Sequence, residues 1–405
     1  MRICMVASSY PRYQGDIAGT FVAALAEALT GIGHHVSVVA PADPLATAAR
    51  PGMVPVTRFG YSPWPQLQPM GYGKALYNDQ RLRLSSYAFA LPYLLSGVLH
   101  LARALKQWQC DLIHVHWMLP NGPVGVLAAV ITGKPMVITL HGSDAFVAKK
   151  SQLLGWFASR SLAKAKLVAA CSPDLLADAA ILGAPTDKLR LIPWGADPVV
   201  FGHGDGQVWR ERLGLQPEQP VVLAVGRMVD KKGFGFLLEA FNQVRACLPS
   251  AVLVLGGEGP LRKDLQDRGG VLGLEQSLRF CGHVPWQEMP DLLATATIVV
   301  VPSIRDQRGN VDGLPTVALE AMAAGKPVVA SNLAGLPLAV QHGVTGLLVP
   351  PGDPDAIAGV LLSLLRNPGY ARWLGYEGRA RVERELNWQA IARRYVSVYQ
   401  EALDY

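Results

Sequence analysis

Two carboxylates, Asp312 and Glu320, stand with seven residues between them around a helix-start signal. Gly313 and Pro315 break the preceding chain, and proline suits a first helical turn, where its missing N–H would have been an orphan donor. The stretch T-V-A-L-E-A-M-A-A carries the helix, Gly325 suits the position just past its end, and Pro327 opens the apolar strand Val328-Val329-Ala330. Behind the Gly313-Leu314-Pro315 loop, a helix N-terminus without a cap offers free N–H groups and a partial positive charge to phosphate oxygens. Glu320 is the only charge of this helix, so it either faces solvent or bonds ligand hydroxyls. A second loop, Gly226 to Gly233, follows an apolar run and opens another helical pattern, which puts its cations at a strand-end crevice. There Arg227 can fork two phosphate oxygens and Lys232 can act as a movable point charge, with Lys231 as a solvated neighbour. His141 ends a third apolar run, Met136 to Leu140, at the position where doubly wound parallel sheets bind ligands.

Two β-loop-α-β starts position these groups. One runs from Ile3 through the loop holding Gly15 and Gly19 into F-V-A-A-L-A-E-A-L and H-H-V-S-V-V-A-P. The other runs through V-V-L-A-V-G-R-M-V-D-K-K-G and A-V-L-V-L-G-G-E-G-P. Two such starts in 405 residues imply an α/β chain of twin Rossmann-like domains, expected at 1–200 and 207–386, with a terminal helix over 387–405. Glycines in the first loop let backbone approach a ligand or simply turn the chain. Residues 41–80, rich in Pro, Gly and aromatics, read as an irregular excursion able to carry acceptor specificity. Arg81 to Trp108 reads as a buried packing helix interrupted at Pro92. His114 and His116 share one strand face and read as structural.

Composition narrows the function classes. The chain is 50% apolar and 17% charged, with an N-terminus that lacks a signal-peptide cleavage pattern, and its five cysteines form no short-spaced pair. These features predict a cytoplasmic protein without a disulfide framework or metal site. Asp353-Pro-Asp355 stands where a helix cap belongs, so it is not counted as a metal motif. Residues 1–200 hold 17 Lys and Arg against 10 Asp and Glu, whereas 201–405 hold 20 against 21. The excess cations are not interleaved with aromatics along a nucleic-acid-binding module, which argues against a nucleic-acid partner. Lys149, Lys150, Arg160, Lys164 and Lys166 form a cluster that either solvates a helix face or docks on an anionic membrane.

The frame Asp312, seven residues, Glu320 within E-A-M-A-A-G-K-P-V-V-A-S resembles the Glu-x7-Glu signature of the retaining nucleotide-sugar glycosyltransferases of family 4, with Asp in place of the first Glu. Supporting matches are T-L-H-G-S-D at 139–144, G-R-x4-K-G at 226–233, G-G-E-G-P at 256–260 and V-P-S at 301–303. The resemblance covers nearly the whole chain. It implies a GT-B fold with an interdomain cleft and a terminal helix that crosses back onto the first domain. By the family pattern His141 lies by the transferred sugar and phosphate, Asp312 lies against the donor sugar, and Glu320 grips the ribose. Gly15, Gly19, Gly226, Gly257, Gly313, Leu314 and Pro315 line the nucleotide-sugar. The implied reaction is retaining, metal-independent hexosyl transfer from a UDP- or GDP-sugar to a hydroxyl of a sugar or lipid-linked acceptor, without a cofactor, in cell-surface glycan or glycolipid synthesis. The implied location is cytoplasmic, at most peripheral on the inner face of the plasma membrane. A non-catalytic nucleotide-sugar binder, a GT-B phosphorylase and a sugar-nucleotide epimerase are the alternatives.

Overall fold

The strands are short, continuous apolar runs, the pattern of parallel sheets covered on both faces. In the computed structural model, which describes residues 1–46, 54–74, 76–77, 81–82 and 84–404, they form one parallel sheet in each of two units, apart from a short antiparallel pair, Leu76–Tyr77 with Arg81–Leu82, in the first. The units are Met1–Ile192 with Trp388–Tyr405, and Pro193–Asn387. In the first, β1 (Arg2–Val6), β2 (His35–Pro41), β3 (Val56–Phe59), β4 (Leu112–His116), β5 (Met136–Leu140), β6 (Leu167–Ala170) and β7 (Leu189–Leu191) pair in parallel in the order β3-β2-β1-β4-β5-β6-β7. In the second, β8 (Val221–Val225), β9 (Val252–Gly256), β10 (Leu278–Gly282), β11 (Ile298–Val301), β12 (Val328–Ser331) and β13 (Leu347–Val349) pair in parallel in the order β10-β9-β8-β11-β12-β13. The order reverses beside β1 in the first sheet and beside β8 in the second, and such switch points are where open α/β sheets bind ligands. Both sheets are therefore doubly wound.

Helices cover both sheets. In the first unit α1 (Thr20–Gly31) packs against the terminal helix, while α2 (Leu84–Gln107), α3 (Met118–Thr132) and α4 (Gln152–Lys164) lie side by side. The second unit's core gathers Leu237, Phe241, Leu253, Leu255, Ile298 and Leu361, all fully buried, between its helices and its sheet. Fully burying a side chain of this size contributes roughly 1.5–3 kcal/mol.

Three features differ from the expectations drawn from the sequence. The contact boundary falls between Ile192 and Pro193 rather than at 200, because Pro198–Phe201 packs on Thr316–Ala323 and Gly206–Arg212 packs on Met289–Thr295. A Cβ on Gly204 would lie 2.1 Å from the Pro290 carbonyl oxygen, so this segment is seated on the second unit. Secondly, α2 runs unbroken through Pro92. The carbonyl that the proline leaves without its helical donor belongs to Ala88, and both residues are exposed, so water can satisfy it. Thirdly, α2 is a packing helix on one side only: it lies against α3 and the first sheet, while a third of its apolar window is buried and Leu91, Leu95 and Leu99 are exposed.

The terminal helix, α5 (Trp388–Asp404), belongs to the first unit. Tyr399 places its hydroxyl 2.8 Å from His114 Nδ1, and Tyr395 lies 3.1 Å from Thr139 Oγ1, which is itself 2.7 Å from His114 Nε2. Both ring nitrogens of His114 are thereby engaged within a wholly buried network, a structural role.

Candidate functional site

In the second unit the switch point between β8 and β11 carries the charged groups. β8 ends at Val225 and leads into the Gly226–Gly233 loop, while the chain leaving β11 returns at Asp312 before the helix Thr316–Ala323, here α6. The loops after β8 and β9 lie backbone to backbone: Gly226 N donates to Gly256 O at 2.9 Å, and Met228 N donates to Glu258 O at 2.8 Å. At Gly257, φ is +116° and a Cβ would stand 2.0 Å from Gly226 O, so only glycine permits the approach. Gly233, at φ +68°, likewise brings the end of the first loop against Pro302 O, where a Cβ would meet it at 1.9 Å.

This turn aims two lysines at one carboxylate. Lys231 Nζ lies 2.8 Å from Asp312 Oδ1, and Lys232 Nζ lies 2.6 Å from Asp312 Oδ2. All three side chains are 12–17% exposed. Burial alone would raise the Asp312 carboxyl, but the charges of Lys232 and Lys231 and their hydrogen bonds hold it well below the usual carboxylate range. Lys231 is therefore not the solvated neighbour expected from the sequence, since it shares the buried carboxylate equally with Lys232. No motif marked it; the left-handed turn at Gly233 and the return of the chain at Asp312 create the pair. Arg227 is exposed on the same loop.

The helix α6 begins at Pro315 with no side-chain cap. Leu314 turns into the core at 6% exposure, leaving only backbone to offer a ligand, and Gly313 O accepts from Gly335 N at 2.7 Å. One turn into the helix, Glu320 is half-buried. Burial pushes its carboxyl up to about 7, opposed by the Thr316 hydroxyl and by Lys232. A half-dry carboxyl with one intrahelical partner fits the ligand-facing alternative better than a solvent face. Two hydroxyls at the ends of motifs matched in the sequence, Ser303 of V-P-S after β11 and Ser331 at the end of β12, are buried without a hydrogen-bond partner.

In the first unit His141 leaves β5 within a ring of aromatic groups. Its ring stacks on His116 at 5.3 Å and 19°, and lies 4.4 Å from Trp117 and 5.0 Å from Phe21. His116 Nδ1 is 3.2 Å from His141 Nε2. Burial, with His116 beside it, holds the His141 imidazole well below its ordinary pKa, and burial lowers His116 to about 3. Both rings are thus held toward the neutral form, in which His141 can trade hydrogen bonds with a hydroxyl. Buried Asp144 fastens this corner, accepting from Met118 N at 2.7 Å and Gly142 N at 3.0 Å. Elsewhere, Gly15 has φ +91°, and Gly19 has φ +71° with a would-be Cβ 2.3 Å from Ser9 O. Gly19 is therefore required by the chain's packing on itself. Arg12 and Asp16, 2.6 Å apart, staple the same loop.

Among the described residues no three His, Cys, Asp or Glu side chains are grouped to hold a metal ion. Asp353 caps the helix Pro354–Arg366, accepting from Ala356 N at 2.9 Å, and Asp355 accepts from Gln243.

Comparison with known proteins places these features in a family. Residues 18–200 match the family description Glycosyltransferase Family 4, and residues 205–381 match Glycosyl transferases group 1. An uncharacterised glycosyltransferase of Methanocaldococcus jannaschii is 28% identical over 425 residues, covering 100% of this chain and 99% of that protein. A D-inositol 3-phosphate glycosyltransferase of Thermobispora bispora is 32% identical over 333 residues, covering 76% of this chain and 75% of the relative. The crystal structure of Anabaena HepE in complex with UDP superposes with a TM-score of 0.75 at 22% identity, over 99% of this chain and 100% of that one. With both sheets doubly wound as in GT-B glycosyltransferases, the chain belongs to the group 1 glycosyltransferases and resembles family 4.

Proposed function

We propose that the chain is a retaining, metal-independent hexosyltransferase that uses a UDP- or GDP-linked sugar and a hydroxyl of a sugar or lipid-linked acceptor, in cell-surface glycan or glycolipid synthesis. The observation that carries the reading is the pair of Lys231 and Lys232 on a single carboxylate, Asp312, three residues before an uncapped helix start, with Arg227 on the same loop as the lysines. Two ammonium groups against one carboxylate leave one positive charge in excess, to which the helix N-terminus adds its partial charge. That excess matches the charge growing on a diphosphate as the glycosidic bond breaks. Glu320 grips the ribose hydroxyls. His141, neutral, hydrogen-bonds a hydroxyl of the transferred sugar.

The state of Asp312 argues against a covalent route to retention and so favours substitution on one face. Both of its oxygens are engaged by ammonium groups, which makes it a poor nucleophile for a covalent intermediate. The departing diphosphate instead takes the proton of the incoming hydroxyl, while an oxocarbenium-like carbon is attacked from the side the phosphate leaves. Cations on the protein replace the metal ion at the diphosphate.

The test is transfer from UDP- and GDP-hexoses with a chelator present, reading the anomeric configuration of the product by NMR. Retention without metal is expected, with turnover falling roughly 10²–10³-fold in Arg227→Ala and in Lys232→Ala. Inverted product, activity lost to the chelator, or near-wild-type turnover in both variants would overturn the proposal.

A further inference from the structure

The outer helices α2, α3 and α4 of the first unit expose apolar side chains where soluble surfaces usually carry charge. On α2, Leu91, Leu95 and Leu99 recur every fourth residue along one exposed stripe, the first two at 62% and 60% exposure. Val130 and Ile131 of α3 and Trp156 of α4 are more than half exposed as well. The three helices pack side by side, so these residues share one face. Residues 85–102 and 118–132 contain no charged residue at all.

Charge on this face is one-sided. Between residues 84 and 171 there are eight Lys and Arg and only two acids. Asp144 is buried, and Asp111 accepts from the backbone N–H of Arg2. The helices lead in turn into β4, β5 and β6, which are neighbours in a parallel sheet, so their C-terminal ends line one edge. Lys106, Lys134 and Lys164 stand at those three ends. The opposite side of α2 is fixed to the unit, with Tyr93, Leu101 and Leu105 buried and Tyr93 Oη bonded to Asn121, so the helix lies against the unit and does not cross a bilayer.

We infer that this face is a monotopic docking surface for an anionic lipid bilayer, with the leucine stripe and Trp156 entering the boundary between headgroups and acyl chains and the lysine row meeting lipid phosphates. A second copy of the chain would bring the same uncompensated positive row, whereas an anionic membrane complements it. The inference differs from an attraction by the 149–166 cluster alone. Lys149 is held by Asp178, and the apolar side chains adhere where salt screens charge.

Co-sedimentation of the full chain with phosphatidylcholine vesicles, with and without phosphatidylglycerol, tests it. Binding is expected only with phosphatidylglycerol, with a fraction that survives high salt. Leu91→Glu with Leu95→Glu should lower partitioning at least about tenfold, and charge reversal of Lys106, Lys134 and Lys164 should remove the dependence on anionic lipid. Unchanged thermal stabilisation by UDP shows that the variants fold. Absence of vesicle binding would overturn the inference, as would binding abolished by salt and indifferent to the leucine substitutions. So would a dimer in sedimentation velocity that the leucine substitutions dissociate, which would assign the face to a second copy.

Discussion

Replacing Glu320 with Gln should make the protein more stable at alkaline pH and worse at its work. In the folded chain burial holds this carboxyl at about 7, against an ordinary value of 4.5. An acid whose folded pKa is raised supplies its stability in full below the ordinary value and loses it as pH rises through the folded one. Above both values the difference amounts to roughly 3 kcal/mol, and nearer 2 kcal/mol allowing for the water that reaches a half-buried group. Glutamine keeps the shape and cannot ionise, so the variant should retain at about pH 8 what the wild type loses between about pH 5 and pH 8. For a unit of this size that gap corresponds to roughly 4–12 °C in Tm. Thermal unfolding of both proteins across that range, with and without UDP, is the assay, and the difference between the two profiles isolates residue 320. UDP should stabilise the wild type more than the variant, because an ionised carboxylate accepts ribose hydroxyls that an amide holds less well. Parallel pH profiles, or a variant less stable at alkaline pH, would refute the reasoning about burial, and equal stabilisation by UDP would return Glu320 to a solvent-facing role.

Two further substitutions probe the same loops. Asp312→Asn leaves two mostly buried ammonium groups without their carboxylate and should cost about 2–4 kcal/mol at neutral pH in urea unfolding, part of it recovered with UDP. Because the folded pKa of Asp312 is lowered, the wild-type advantage is present above the ordinary 3.8 and should fade as pH falls below it. Gly257→Ala should cost more than about 3 kcal/mol, since its Cβ would overlap the Gly226 carbonyl, whereas Gly343→Ala, at φ +76° with open space around it, should cost only about 1–2 kcal/mol; equal losses in denaturant midpoint would show that the loop contact is not what fixes glycine at 257.

What was legible in the sequence was whatever local rules decide. Proline and glycine punctuation framed α6, and the repeated strand-loop-helix pattern gave both sheets. What escaped depends on parts of the chain brought together by topology. The stack of His116 on His141 requires the parallel register of β4 and β5, in which His116 pairs with Thr139, and no spacing in the chain reports that register. The apolar composition of residues 84–107 was plain, but which of its sides the fold would cover was not. Position 312 makes the point most sharply. Its Asp reads as a shortened contact when compared with a motif, yet the structure shows a carboxylate joining the two lysines of the loop that Gly233 terminates. A short stem suits that task, because it fixes both oxygens beside the turn with few rotamers to restrain. The departure from the motif and the unexpected role of Lys231 are therefore one feature: the short carboxylate takes a second ammonium group, with Lys231 Nζ at 2.8 Å from one oxygen and Lys232 Nζ at 2.6 Å from the other.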